Sequence, residues 1–134
     1  MYSIGQVSQH TGVSADTIRY YERIALLARP KRAVNGYRQY DQTDIEQLQF
    51  IRRSRALDFA LDEIREILAF RERNEPPCSY VMAVMEERIE EIEDRIRDLK
   101  KLRDEIKNLH EIGKYLPQDV QMKTCVCHLI QVQT

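Results

Sequence analysis

The sequence predicts a mostly α-helical protein: an N-terminal winged helix-turn-helix, one long dimerisation helix, and a short cysteine-bearing C-terminal loop. Three observations predict it. Two short helix signatures flank a glycine turn within residues 3–22. An Asn-Gly turn sits between basic and aromatic residues at 26–40. Residues 79–112 run without Gly or Pro and carry apolar residues at helical spacing. The expected divisions are 1–73 for the first part, a hinge at 74–78, the long helix at 79–112, and the loop and tail at 113–134.

In the first segment, Ser3 is a candidate helix cap, and Gln6 stands three residues on, the capping-box spacing. Ile4 and Val7 open a short helix that Gly12 ends. Val13-Ser14 starts a second helix through Ala15-Asp16-Thr17-Ile18-Arg19-Tyr20-Tyr21-Glu22. Then comes Asn35-Gly36, a strong hairpin signal. Lys31 and Arg32 precede it and Tyr37-Arg38-Gln39-Tyr40 follow. A small basic hairpin after a helix-turn-helix is what a DNA-binding wing looks like.

Asp41 or Thr43 caps a third helix carrying Ile45, Leu48 and Ile51, with Arg52, Arg53 and Arg55 at its end. A fourth helix carries Leu61, Ile64, Ile67 and Leu68. Asn74-Glu75-Pro76-Pro77 then breaks the chain, because residues before proline are pushed out of the helical region. In the long helix, Met85, Ile92, Leu99 and Ile106 recur every seven residues. Ile89 and Ile96 fill the intermediate positions, and Leu102 and Leu109 continue the stripe. A helix about 50 Å long cannot bury so narrow a stripe on itself. A domain of 73 residues is too small to cover it. The solution is a coiled coil, parallel or antiparallel, with a second copy of the chain. Gly113 ends the helix and Pro117 enforces the stop.

Composition narrows the function. With 32% charged and 43% apolar residues, the chain suits a soluble folded protein. No apolar run reaches the ~18 residues that span a bilayer. The N-terminus lacks the basic flank and apolar stretch of a signal peptide, which points to the cytoplasm. The net charge of −1 hides a local excess: residues 19–55 hold nine Lys/Arg against four Asp/Glu, a footprint suited to phosphate. Three cysteines, Cys78, Cys125 and Cys127, are an odd number in a reducing compartment, which argues against a disulfide framework.

The run Thr17-Ile18-Arg19-Tyr20-Tyr21-Glu22, then Leu26-Leu27, then Asn35-Gly36-Tyr37-Arg38-Gln39-Tyr40 resembles the signature of MerR-type regulators. Leu48-Gln49-Phe50-Ile51 and Leu61-Asp62-Glu63-Ile64 continue it, and the long helix with terminal Cys residues resembles the metal-sensing branch. The resemblance spans nearly the whole chain. It implies a transcription regulator whose dimer forms through an antiparallel coiled coil. Such a dimer binds a palindrome in double-stranded promoter DNA and, with effector bound, distorts the promoter so that RNA polymerase can use it. Thr17 and Arg19 then face the major groove, where Arg reads guanine or clamps phosphate. Tyr21 contacts phosphate, while Tyr20 either contacts DNA or packs in the core. Lys31, Tyr37 and Arg38 on the wing, and Arg55 at the end of the third helix, hold the backbone.

The same resemblance places Cys78 where divalent-metal sensors carry a thiol. A helix N-terminus favours an anionic ligand there. The first loop cysteine of the family is missing, since Gly113 or Lys114 occupies its place. Cys127 matches the second, and Cys125 is an extra thiol two residues earlier. Cys78 of one chain with Cys125 and Cys127 of the other makes three thiolates, suited to Zn²⁺, Cd²⁺, Pb²⁺ or Hg²⁺, with His128 or His110 as a fourth ligand. A second departure is Ala60 at a helix start where relatives carry a capping residue. The alternative within regulation is a sensor of thiol oxidation or electrophiles. The three cysteines are too few for an iron–sulfur sensor, and the residues after Gly113 are too few for a drug-binding domain. An enzyme has no supporting constellation, and a structural coiled coil leaves the wing and the Arg-Tyr-Tyr helix without purpose.

Overall fold

A computed structural model describes residues 1–28, 31–116 and 126–132, with Val126 and Val132 by backbone alone. Six helices and one hairpin make up the described chain: α1 (Ile4–Thr11), α2 (Ala15–Arg23), β1 (Lys31–Arg32), β2 (Arg38–Gln39), α3 (Gln42–Ala56), α4 (Leu61–Glu72), α5 (Cys78–Gly113) and α6 (Val126–Val132). Pro30, Pro117 and Cys125 lie outside the described residues.

The local rules decide where each helix begins. Ser3 and Gln6 form a reciprocal capping box, with bonds of 2.8 and 3.2 Å, so two orphan N–H groups of α1 are satisfied. Gly12 ends α1 in the left-handed conformation (φ 73). Ser14 caps α2 by accepting from the Thr17 N–H at 3.2 Å. Asp41 and Asp44 cap α3 with paired 2.9 Å bonds. The Asp44 N–H, by bonding Asp41, holds the Asp41 carboxyl below its ordinary range, while burial pushes that of Asp44 up. Ala60 starts α4 with no side-chain cap, and Glu63 compensates in part by accepting from the Ala60 N–H at 2.7 Å.

β1 and β2 pair antiparallel, Lys31 opposite Gln39 and Arg32 opposite Arg38. The turn closes through Gly36 N–H to the Ala33 carbonyl at 2.9 Å, and Gly36 takes the left-handed conformation it needs (φ 82). Tyr2 adds an isolated bridge to Tyr40, exchanging bonds of 2.7 and 2.9 Å, so the N-terminus extends the wing.

The chain divides into two compact units, Met1–Met85 and Glu86–Thr134. In the first, α1 packs on α2 and α3, and α3 on α4. Val7, Ile18, Leu27, Tyr40, Leu48, Ile51, Ile64 and Ile67 are its most deeply buried side chains. This unit runs past residue 73 because the first turns of α5 belong to its core: Val84 is buried, Tyr80 and Val81 pack against the core, and the Phe70 and Tyr80 rings lie 5.8 Å apart. Asn74 turns the chain between α4 and α5 in the left-handed region (φ 57), which asparagine tolerates. In the second unit, α5 carries Ile89, Ile92, Ile96, Leu99, Leu102 and Ile106, all exposed in the single chain. Residues 126–132 are helical, a correction to the expectation of a loop throughout 113–134: Val126, Leu129 and Ile130 recur at helical spacing in a stretch too short for periodicity to be read beforehand.

Candidate nucleic-acid interface and thiol positions

Helix α2 has two sides. Ile18, Tyr21 and Glu22, spaced three and four residues apart, turn inward and are buried. Thr17, Arg19 and Tyr20 stay at least partly accessible. Arg19 forms a 3.0 Å ion pair with Asp16, both exposed, so the pair contributes little and can yield to a stronger anion. The Thr17 hydroxyl accepts from the Ser14 hydroxyl at 2.8 Å.

The two tyrosines divide between core and surface. Tyr20 is 41% exposed, with the Arg23 guanidinium 5.6 Å from its ring centre. Tyr21 lies in the core at 9% exposure. The Tyr21 ring packs on the inward face that Ile18 sets, and Tyr20 stands on the outer face.

On the wing, Lys31 and Arg32 are exposed and Tyr37 is 75% exposed. Arg32 donates to the Gly36 carbonyl at 2.8 Å, tying the basic strand across the turn. Arg38 is partly withdrawn: its Nε lies 3.2 Å from a carboxylate oxygen of Glu22. Glu22 also accepts from the Tyr40 hydroxyl in a short bond. A buried carboxylate needs such partners, since desolvation without them is costly. Burial, reinforced by the bond to Glu22, pushes the Tyr40 hydroxyl far above the ordinary tyrosine range.

Sequence reasoning missed this Glu22–Tyr40–Arg38 cluster. A signal existed: Glu22 stands four residues after Ile18, on the buried face. It also missed Arg52, which donates to the Thr11 carbonyl at 2.8 Å and closes the C-terminus of α1. Arg55 is committed in the same way, donating to the Phe59 carbonyl at 2.8 Å across the α3–α4 turn.

Cys78 is the first residue of α5 and is free and exposed. Cys127 on α6 is likewise free and exposed, and His128 beside it is half-buried. Among the described residues of one chain, no group of three or more His, Cys, Asp or Glu comes together as a metal site. None of the described helices is long and apolar enough to cross a membrane.

The profile of the MerR HTH family regulatory protein matches residues 2–70, and that of the MerR DNA-binding region matches residues 45–109. The chain belongs to the MerR family. Over 107 residues it is 40% identical to the HTH-type transcriptional regulator HmrR of Rhizobium leguminosarum bv. viciae, covering 80% of this chain and 82% of that protein. It is 37% identical to the mercuric resistance operon regulatory protein of Bacillus cereus, covering 82% and 83%. Among solved structures it is similar to the transcription regulator PbrR691 of Ralstonia metallidurans CH34 in complex with lead(II). The TM-score there is 0.82 at 30% identity, covering 97% of this chain and 99% of that one. Membership makes the first unit a MerR-type helix-turn-helix with α2 as its second helix and β1–β2 as its wing, followed by the long helix α5.

Proposed function

We propose that this MerR-family chain is a homodimeric activator that binds promoter DNA and responds to a divalent soft or borderline metal ion. The observation that carries the metal response is Cys78: an exposed thiol on the first residue of α5, within the unit that carries the helix-turn-helix. The likeness to a mercury-operon regulator and to a lead-complexed regulator over nearly the whole chain supports it. The ligand set is Cys78 of one protomer with Cys125 and Cys127 of the partner subunit, and His128 stands beside them as a fourth donor. The donor chemistry of this set fits Zn²⁺, Cd²⁺, Pb²⁺ or Hg²⁺. Bound metal neutralises the thiolates and links the two chains there.

The rest follows from the chain's own surfaces. The exposed apolar stripe of α5 pairs antiparallel with its copy, burying Ile89, Ile92, Ile96 and Leu99. That pairing presents two α2 helices to two half-sites of a palindrome. Thr17, Arg19 and Tyr20 lie toward the major groove, and Lys31, Tyr37 and Arg38 toward the backbone. Arg55 steadies the α3–α4 turn through one terminal nitrogen, and its other N–H groups lie toward phosphate. Tyr21 contributes through the core that holds α2. Metal binding next to α5 then changes how the two halves hold the DNA, and the promoter deforms to suit RNA polymerase.

The test is run-off transcription in the purified system, from a promoter that the protein protects, with and without each ion. A metal-dependent rise in transcript, with the promoter occupied in both states, supports the proposal. DNA binding that falls steeply with salt but gives transcription indifferent to every ion removes the metal response and leaves the DNA-binding assignment. The exposure of Cys78 and Cys127 favours a second reading, in which an oxidant or electrophile is the effector. It predicts activation by a thiol-reactive agent in the absence of metal.

A further inference from the structure

Glu22 is a buried carboxylate on the helix that meets DNA, and its two partners both belong to the end of the wing. Its side chain is 6% exposed, against 33% for Arg38. Tyr40 is completely buried, and its backbone is held from the other side by Tyr2. Burying a charge this close to a phosphate-binding face works against DNA on simple Coulomb grounds. A carboxylate there repels phosphate and offsets one arginine. It needs a compensating use.

We propose that Glu22 is a positioning residue for DNA binding. By accepting from the Tyr40 hydroxyl and pairing with Arg38 Nε, it fixes the angle between the wing and α2. It also orients the Arg38 guanidinium so that its terminal nitrogens are the ones offered to phosphate. The guanidinium is a rigid fork, so engaging one edge aims the other. The wing is only two short strands, too small to hold its own orientation. The carboxylate supplies the anchor that the strand pairing lacks. Arg38 therefore acts as a bridge between a buried anion and the DNA backbone.

This inference rests on the DNA-binding reading, and the experiment separates the two. The wild-type protein first selects its highest-affinity duplex from a randomised pool. If it selects none, the DNA-binding reading falls. With that duplex, affinity, salt dependence and phosphate-ethylation interference are measured for the wild type, Glu22→Gln and Tyr40→Phe. Glu22→Gln keeps the shape and adds one positive charge per protomer to the balance, so a purely electrostatic account predicts tighter binding. Positioning predicts the opposite: binding about tenfold weaker, the equivalent of one charge-assisted hydrogen bond per site. The salt slope falls by about one per protomer. Interference disappears at the phosphates under the wing and persists where α2 binds. Tyr40→Phe changes no charge and removes an atom that cannot reach DNA, yet it weakens wing interference in the same way. Tighter or unchanged binding by Glu22→Gln with wild-type interference overturns the proposal. If Glu22→Gln does not fold, Tyr40→Phe decides alone: wild-type affinity and wing interference in that variant overturn the proposal equally.

Discussion

Replacing Gly12 with alanine attacks the helix-turn-helix at the point where its two helices are joined, and the structure sets the size of the effect. Gly12 holds φ 73 as it ends α1, and its N–H bonds the Ser8 carbonyl at 2.9 Å. Forcing an L-residue into that region costs about 1–2 kcal/mol. A Cβ built there would lie 2.7 Å from Arg52 Nη1 and 2.9 Å from its Cζ, closer than real contacts. The guanidinium must therefore move off the Thr11 carbonyl, which it holds at 2.8 Å. Because Arg52 can swing into solvent, the loss is about 1–1.5 kcal/mol, the upper part of the range for an ordinary net hydrogen bond. The two add to about 2–3.5 kcal/mol. Urea unfolding of the full chain at fixed protomer concentration, followed by far-UV circular dichroism, measures it. Arg52→Ala alone costs about 1–1.5 kcal/mol, but added to Gly12→Ala it costs under about 0.5, because that bond is already broken. A Gly12→Ala variant within about 0.5 kcal/mol of wild type, or strict additivity in the pair, refutes the reasoning.

Other consequences are as concrete. Tyr40→Phe leaves the Glu22 carboxylate short of a donor and destabilises the first unit by about 1.5–3 kcal/mol at pH 7, read from the same denaturation curves. Since the folded state holds Tyr40 protonated above its unfolded value, that stabilisation is complete below about pH 10 and is lost as pH rises beyond it. The wild type therefore loses stability above pH 10 with one proton more dependence than Tyr40→Phe. Ala60→Ser supplies the missing cap of α4 and raises stability by about 0.5–1 kcal/mol, measured by chemical denaturation. Ile92→Lys places a charge in the exposed stripe of α5 and converts the dimer to monomer in sedimentation velocity at micromolar protein. A wild-type monomer under those conditions refutes the pairing argument.

Much of the fold was legible because its signals are local. Ser3 with Gln6, Gly12 after a short helix, Asn35-Gly36 and the uncapped Ala60 are each set within a few residues, and each stands in the structure as the sequence implies. The bounds of α5 shift by one residue at each end, the usual fraying of helix limits. What was not legible depends on partners far apart in the chain. Arg52 finds Thr11 across 41 residues, and Tyr40 finds Glu22 across 18. No periodicity announces such a bond. Reading Arg38 as a surface cation missed its buried partner for the same reason. The burial of the Tyr21 ring and of Glu22 was legible, because counting three and four from Ile18 puts both inside. For the thiols, sequence names candidate donors, and a set divided between protomers depends on pairing that a single chain does not contain.

The most direct test of the account is a competitive titration of the reduced dimer with Zn²⁺, Cd²⁺, Pb²⁺ and Hg²⁺, followed by thiolate-to-metal absorbance. It compares the wild type with Cys78→Ser, Cys125→Ser and Cys127→Ser. The account predicts tight binding of one ion per site, weakened by each of the three substitutions. It also predicts that mixing the Cys78→Ser chain with the Cys127→Ser chain restores one intact site per heterodimer. If no divalent ion binds more tightly than about micromolar, or if all three substitutions leave the affinity unchanged, the thiolate effector site is contradicted.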